Sequence, residues 1–355
     1  ILIKQMKLPS SRYAYFRIMV ARILKNRLFF IAIFFLGIAV GLFFHKINIF
    51  KEKQKTYFSL KRLFSDNTHL VNPLIGVENP EGGDVKLESI KYSIQEYIDK
   101  CKKNGNASSI SVYLIDLNKG TWVGIDEDQN YAAASLLKVP IMLAYLKLAE
   151  QDPSILSKEI KYETEIKTLP QNIAPQNSAQ LGNTYSVNQL LRYMIAYSDN
   201  ISKDLLLGNI DSGLIANLYS DLQLPTPDLK EKEHQISAKD YASFFRVLYS
   251  ATYLNKDLSE KAMKLLVEKD FPDGIVAGVP ENITVVNKFA ERKYAGEGFS
   301  LEGAQLHDCG IVYYPKGPYL ICIMTKGHDL NTLKGIIKEI SRIVYKQEEK
   351  TVDLY

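Results

Sequence analysis

Along the chain, polar and apolar positions mark out one apolar run, a mixed stretch, and a body in which helical and strand periods occur in blocks. Residues 28–44 (LFFIAIFFLGIAVGLFF) carry no charge over 17 positions. That is about 26 Å of helix, at the short end for a bilayer span. Residues 45–86 are mixed: charges crowd 51–62 and turn formers follow at 79–83, which predicts a stalk and a domain beginning near Leu87. Leu87, Ile90, Ile94, Tyr97 and Ile98 then recur at helical spacing over 87–102. Two short strand-like runs, 109–115 and 121–125, flank Asn118-Lys119-Gly120 and predict a hairpin. Helices are predicted over 135–150, 186–197, 201–207, 213–221, 237–249 and 258–268, the second opened by the capping-box pattern Ser186-x-x-Gln189. The period then shortens. Residues 283–288, 309–314 and 319–325 read as strands, the last two joined by a hairpin at 315–318, and 330–346 closes as a helix.

Strands therefore lie at both ends of the body and helices in its middle. This predicts an α+β architecture: an antiparallel sheet built from both termini, helices packed on it, and an inserted all-helical lobe. A cleft between the lobes is the natural place for a site. The expected organisation is a tail over 1–27, a membrane helix over 28–44, a stalk over 45–86, the domain over 87–347 and a C-terminal tail over 348–355.

Composition narrows the classes. Hydrophobic residues at 46% and charged residues at 24% exclude a wholly disordered or collagen-like chain. Three cysteines exclude a disulfide-rich scaffold, and five scattered histidines without a His-x-x-His spacing argue against a zinc hydrolase. Neither a metal nor another cofactor is expected. The net charge of +4 conceals an asymmetry: residues 1–27 hold seven bases and no acid, leaving 37 bases against 40 acids elsewhere. A near-neutral body is not the footprint of a nucleic-acid binder. The basic flank predicts a cytoplasmic N-terminus, a single-pass anchor in the cell membrane and a body outside the cytoplasm, although Lys46, Lys51, Lys53 and Lys55 make the other flank basic as well. No small-x-small cleavage site follows, so an uncleaved anchor is expected ahead of a cleaved signal or a buried helix. The native start is expected upstream of Ile1 or at Met6. Nothing in the sequence sets the oligomeric state.

Three patterns carry chemistry. In Ala132-Ala133-Ala134-Ser135-Leu136-Leu137-Lys138, Ser135 and Lys138 stand one turn apart at a helix start and can share a face. The positive end of the helix dipole and partial burial both disfavour the ammonium form of Lys138. A neutral amine beside a hydroxyl makes Ser135 a candidate activated nucleophile, and the helix start offers a backbone N–H to a developing oxyanion. The plain alternative is a Ser N-cap with a solvated lysine. The second pattern, Tyr197-Ser198-Asp199-Asn200, could present a hydroxyl and an amide, or simply end a helix; the same tripeptide at 65–67 falls in the stalk. The third, Val285-Val286-Asn287-Lys288-Phe289-Ala290, says by itself only that a strand carries a lysine.

In this order, Ser-x-x-Lys, Ser-Asp-Asn and a strand lysine resemble the penicillin-recognising serine enzymes, class A β-lactamases most closely. The likeness extends over about 87–347 and includes Gly274-Ile275-Val276-Ala277-Gly278-Val279-Pro280 and His307-Asp308-Cys309-Gly310-Ile311-Val312-Tyr313. It implies that Ser135 attacks an amide carbonyl to form an acyl-enzyme, that Lys138 is base or proton relay, and that Ser198 passes a proton to the departing nitrogen. Asn200 would bind the substrate's side-chain amide and Lys138, and Lys288 would attract a substrate carboxylate. The backbone N–H groups of Ser135 and Glu291 would form the oxyanion hole. The implied partners are a β-lactam or a D-alanyl-D-alanine-like cell-wall peptide.

Two departures stand out. Lys288-Phe289-Ala290 replaces the family's Lys-Thr-Gly, losing a hydroxyl for the carboxylate and adding a methyl group where substrate should lie. The glutamate of the family's Glu-x-x-Leu-Asn loop, which activates the deacylating water, has no counterpart in Leu222-Gln223-Leu224-Pro225-Thr226-Pro227-Asp228; Asp228, Glu231 and Glu233 are the nearby acids. The first expectation is thus a membrane-anchored serine hydrolase of the β-lactamase kind. A D,D-peptidase or penicillin-sensing domain is the second, and a binding module with a closed cleft, Lys138 lying far from Ser135, is the third. Cys309 and Cys322 fall on neighbouring strands and could pair, but two buried thiols are the expected state; Cys101 has no evident partner. His307 reads as structural and Trp122 as packing.

Overall fold

The computed structural model describes residues 70–72, 84–227, 234–268, 271–294 and 303–350. The apolar run 28–44, the charged tail before it, and Asp228, Glu231 and Glu233 lie outside these residues. Among the described residues no helix is long and apolar enough to cross a membrane.

Helix α1 (Val85–Lys103) starts where the side chain of Asp84 accepts from Lys86 N, and it buries Leu87, Ile90, Ile94 and Ile98, the positions of its helical period. Strands β1 (Ser109–Asp116) and β2 (Trp122–Ile125) form the predicted hairpin, and Gly120 at its turn has φ +70°, a conformation favouring glycine. Strands β7 (Val285–Tyr294), β8 (Gly303–Val312) and β9 (Tyr319–Gly327) complete a five-stranded antiparallel sheet in the order β2-β1-β9-β8-β7. The sheet does draw on both ends of the domain. Helix α9 (Leu330–Lys350) packs with α1 on one face. Its last turn lies within the stretch expected as a tail, because Glu348, 8% exposed, is ion-paired with Lys86.

Successive residues of a strand face opposite ways, and the sheet uses this strictly. Tyr319, Ile321 and Ile323 point to the α1/α9 side, while Leu320, Cys322 and Met324 point to the inserted helices. The helical lobe comprises α2 (Lys138–Gln151), α3 (Val187–Ala196), α4 (Asn200–Leu207), α5 (Ser212–Asp221), α6 (Ala238–Tyr249) and α7 (Lys256–Val267). Helix α3 carries the predicted capping box, Ser186 with Gln189. Two small pairings escaped the periodicity: β3 (Asn130–Ala132) with β6 (Gln235–Ser237), and β4 (Glu159–Lys161) with β5 (Thr184–Ser186). A turn of helix, α8 (Gly274–Ala277), precedes β7.

Two further expectations change. Cys309 and Cys322 are not free thiols but a disulfide; they are direct cross-strand partners in the β8–β9 register, so their side chains emerge side by side on one face. Cys101 is buried and unbonded to another cysteine. Leu70–Asn72, in the expected stalk, lie against the body. Leu70 N donates to Glu260 Oε2 at 2.9 Å, Tyr313 Oη donates to the Leu70 carbonyl, and Asn72 N donates to the Tyr249 carbonyl at 2.6 Å.

Candidate active site

Ser135 lies in a 3₁₀ turn (Ala134–Leu137) immediately before α2, and Lys138 is the first residue of that helix. Three residues per turn place i and i+3 over one another, which brings the two side chains together more directly than an α-helical turn. Ala134 enters the turn at φ +45°, a left-handed conformation unusual for alanine. The surroundings hold it: Ala132 N donates to Gln305 Oε1 at 3.0 Å, Ala133 N donates to the His234 carbonyl at 2.7 Å, and Tyr241 Oη donates to the Leu136 carbonyl at 3.1 Å. Ser135 is half-buried and Ala134 exposed, so the turn that carries the hydroxyl reaches the surface.

Lys138 is wholly buried, at 0% exposure. Its Nζ donates to Ser135 Oγ at 3.0 Å, to Ser198 Oγ at 3.0 Å and to the Ser198 carbonyl. Burial holds its pKa well below the usual lysine range, and the charges of Lys288 and Lys203 push the same way. Desolvation of a complete side chain thus outranks the partial burial and helix dipole anticipated from sequence. Lys288 shares its strand face with Val286 and Ala290, turned toward the helical lobe. Its Nζ donates to Ser198 Oγ at 2.9 Å and to the Phe289 carbonyl at 3.2 Å. Burial lowers its pKa to about 7, partly offset by the carboxylate of Asp308. That carboxylate is itself buried, accepting from Asn287 Nδ2 at 2.6 Å and Ile275 N at 2.9 Å. Beside it Gly274 has φ +62°, and a Cβ there would fall 2.4 Å from Asp308 Oδ2.

Ser135, Lys138, Ser198 and Lys288, spread over more than 150 positions, therefore meet. Asn200 does not complete the expected set in this arrangement: its Nδ2 donates to the Leu169 carbonyl at 3.4 Å instead of joining Lys138. Glu291 lies on edge strand β7, against which the 3₁₀ turn packs, and its side chain accepts from Asn172. Asp199, passed over in the sequence reading, organises the loop. It caps α4 through Ile201 N and Ser202 N at 3.2 and 2.9 Å, and holds Ser178 Oγ at 2.7 Å and Ala179 N at 3.2 Å. An aspartate before a helix is the visible signal for that cap; the link to 178–179 has none.

The departures resolve differently from their appearance in sequence. The Ala290 methyl is completely buried among core side chains, not presented to the cleft. Phe289 stacks on Phe271 with ring centroids 4.0 Å apart, and Lys288 Nζ is 4.5 Å from the Phe289 ring centroid. The separation of Lys138 from Ser135 expected of a closed binding module is not what is found, since Nζ and Oγ are 3.0 Å apart. Among the described residues no three His, Cys, Asp or Glu gather as a metal site. A groove of about 670 Å³, lined by residues that include Arg192, Lys256, Glu260, Lys264 and Glu268, shares no residue with this constellation.

Residues 90–347 match the family described as the beta-lactamase enzyme family. Beta-lactamase VEB-1 of Pseudomonas aeruginosa is 26% identical over 275 residues, covering 70% of this chain and 88% of that protein. The extended-spectrum beta-lactamase PER-1 of the same organism is 23% identical over 249 residues, covering 64% and 78%. Among solved structures, PBP-A superposes with a TM-score of 0.63 at 19% identity, covering 78% of this chain and 99% of that one. A beta-lactamase from Xanthomonas campestris superposes at 0.61 with 16% identity, covering 73% and 98%. These likenesses bear out the α+β fold and the family resemblance.

Proposed function

The chain belongs to the beta-lactamase enzyme family, and from that premise we propose that it is a serine hydrolase that opens a β-lactam through an acyl-enzyme on Ser135. The observation that carries the reading is the buried amine of Lys138, 3.0 Å from the hydroxyls of both Ser135 and Ser198. As a neutral amine, with two N–H bonds and a lone pair, it keeps its bonds to Ser198, reverses the contact with Ser135 to accept from the hydroxyl, and takes that proton as Oγ attacks the amide carbonyl. Ser198 Oγ accepts from two amines, Lys138 and Lys288. A hydroxyl has two acceptor lone pairs and one proton, so its remaining proton is free to point at the departing nitrogen. Ring opening breaks the C–N bond; the nitrogen takes that proton, and Ser198 recovers one from Lys138. Lys288, when charged, attracts the substrate carboxylate in the absence of the family's threonine hydroxyl. The backbone N–H groups of Ser135 and Glu291 receive the developing oxyanion.

A second reading is favoured by one feature. Described residues 222–227 hold no acid to activate a deacylating water, so the acyl-enzyme would persist, as in a penicillin-binding protein that acts on D-alanyl-D-alanine-like peptides. A PBP-A mutant has been solved as an acyl-enzyme complex with penicillin G, with a TM-score of 0.61 to this chain at 20% identity, covering 74% of it and 97% of that chain. In both readings the body is anchored through 28–44 and faces away from the cytoplasm.

Incubation with a fluorescent penicillin, followed by mass spectrometry, tests acylation. A stoichiometric adduct on the Ser135 peptide is expected, lost in Ser135→Ala and formed at least about 100-fold more slowly in Lys138→Ala. Equal labelling of wild type and Ser135→Ala would refute the proposal. Multiple rapid turnovers of a chromogenic cephalosporin would select the lactamase reading, a single burst the second.

A further inference from the structure

We propose that Gln305 is a positioning residue for the nucleophile: by holding the backbone of Ala132 it fixes the turn that carries Ser135 against the sheet that carries Lys288. The inference rests on the acyl-transfer reading of Ser135 and deepens it. Strand β3 pairs with β6 in a two-stranded sheet. Ala133 N donates toward the β6 side, to the His234 carbonyl at 2.7 Å. Amides of successive residues in an antiparallel strand point to opposite edges, so Ala132 N points out of the edge away from β6. It is buried there, and the acceptor it meets is Gln305 Oε1 at 3.0 Å. Gln305 is itself buried. It stands on β8 two residues before His307 and four before Cys309, hence on the face turned to the helical lobe. His307 repeats the contact between β8 and β3. Its ring lies edge-on to that of Tyr131, with centroids 5.3 Å apart, and the Tyr131 hydroxyl meets those of Ser109 and Ser111 on β1 at 2.6 and 2.9 Å.

The place of this bond in the chain gives Gln305 its role. Ala132 is three residues before Ser135, and the left-handed Ala134, at φ +45°, lies between them. Such a conformation persists only where the surroundings over-determine it. From the helical lobe, Tyr241 Oη holds the Leu136 carbonyl, and the turn closes on itself as Leu136 N donates to the Ala133 carbonyl at 2.8 Å. Gln305 adds a tie from the sheet. Its strand is the direct neighbour of β7, with Gln305 opposite Arg292 and Lys288 opposite Cys309, so the bond to Ala132 sets the nucleophile turn against the strand of Lys288. Without the acceptor, Ala132 N is a buried donor left unpaired, and the segment gains by shifting toward another partner. Ala134 then relaxes, and Ser135 moves with it, both its hydroxyl and its backbone N–H. A displacement of about 1 Å at a reacting group costs on the order of 100-fold in rate. Gln305 acts through Ala132 and is given no part in the bond changes.

Acylation of the full chain by benzylpenicillin is followed to saturation for wild type, for Gln305→Met, which keeps the length and removes the acceptor, and for Gln305→Glu, which keeps an oxygen at the same place. Hydrogen exchange of the Ala132 amide and urea unfolding are measured in parallel. Gln305→Met is expected to lower the saturating acylation rate at least about tenfold (about 1.4 kcal/mol), to leave the half-saturating concentration nearly unchanged, and to expose the Ala132 amide to exchange. Gln305→Glu is expected to recover both rate and protection. If Gln305→Met does not fold, Gln305→Asn, whose shorter amide cannot reach Ala132 N, takes its place with the same expectation. Tyr131→Phe, which removes the bonds to Ser109 and Ser111, controls for lost packing and should lose stability with little loss of rate. A wild-type rate in Gln305→Met, no recovery in Gln305→Glu, or a loss of rate in Tyr131→Phe as large as in Gln305→Met overturns the positioning role. An unprotected Ala132 amide in wild type overturns the bond itself. If benzylpenicillin acylates no form, the acyl-transfer reading fails and the positioning of a nucleophile with it, while exchange still decides whether Gln305 holds Ala132.

Discussion

Ser198 Oγ is shared by two buried amines, Lys138 at 3.0 Å and Lys288 at 2.9 Å, and this sharing sets the pH behaviour of the site. Both pKa values are lowered, Lys138 well below its usual range and Lys288 to about 7, burial being the first cause for each. The proposed acyl transfer needs Lys138 without its proton and Lys288 with one. Raising the pH frees the Lys138 amine below the usual lysine range and discharges Lys288 above about 7. For a penicillin, which bears a carboxylate, acylation kcat/KM should therefore rise and then fall, with the descending limb near pH 7; this parameter reports the free enzyme. A neutral ester without the carboxylate should keep the ascending limb and lose the descending one. Identical profiles for the two substrates would remove Lys288 from carboxylate binding. The family resemblance of the three motifs, taken in order, made Ser135, Lys138, Ser198 and Lys288 visible as a group. The bond from Asn200 to Leu169 and the load on Asp199 were not visible, because both depend on a loop that returns from residues 169–179.

At the scale of elements, β8 and β9 are joined by the Cys309–Cys322 disulfide behind Lys288, whose register partner is Cys309. The bridge closes a separation of 13 residues, and a loop of that size contributes about 3 kcal/mol in the chain-entropy account. The Cys309→Ala/Cys322→Ala double variant should lose roughly that stability in urea unfolding. Alkylation of the denatured, unreduced protein should modify Cys101 alone. Three alkylated cysteines would show that the pair is not oxidised. Helices such as α1, α3, α6 and α9 were readable because each buries a stripe of apolar residues, and several helices carry caps such as Ser186, Asn255 and Ser237. Strands β7 and β8 extend beyond the apolar runs that marked them, and the added part of β8 contains Gln305, His307 and Asp308, all buried polar residues. A rule that looks for apolar residues stops where a strand enters the polar centre of the molecule. The three-residue strands β3 to β6 are too short to show any period.

For the whole molecule, the proposed anchor predicts where the protein partitions. With residues 1–44 present it should sediment with membranes and resist carbonate extraction, and external protease on intact cells should reach the body. A chain beginning at residue 45 should remain in the soluble fraction; full-length protein in that fraction would refute the anchor. By itself the sequence determined the longer helices and strands and the α+β class, because hydrophobic period is a local property, and the resemblance of its motifs to a family pointed to the residue types of the site. Only the tertiary structure decided that the alcohol and two amines converge, that Lys138 is fully desolvated, that two cysteines are joined, and that Asn172 bonds the Glu291 carboxylate. Each of these depends on atoms brought within a few ångströms from distant parts of the chain, and burial and contact are properties of packing that no window of sequence contains.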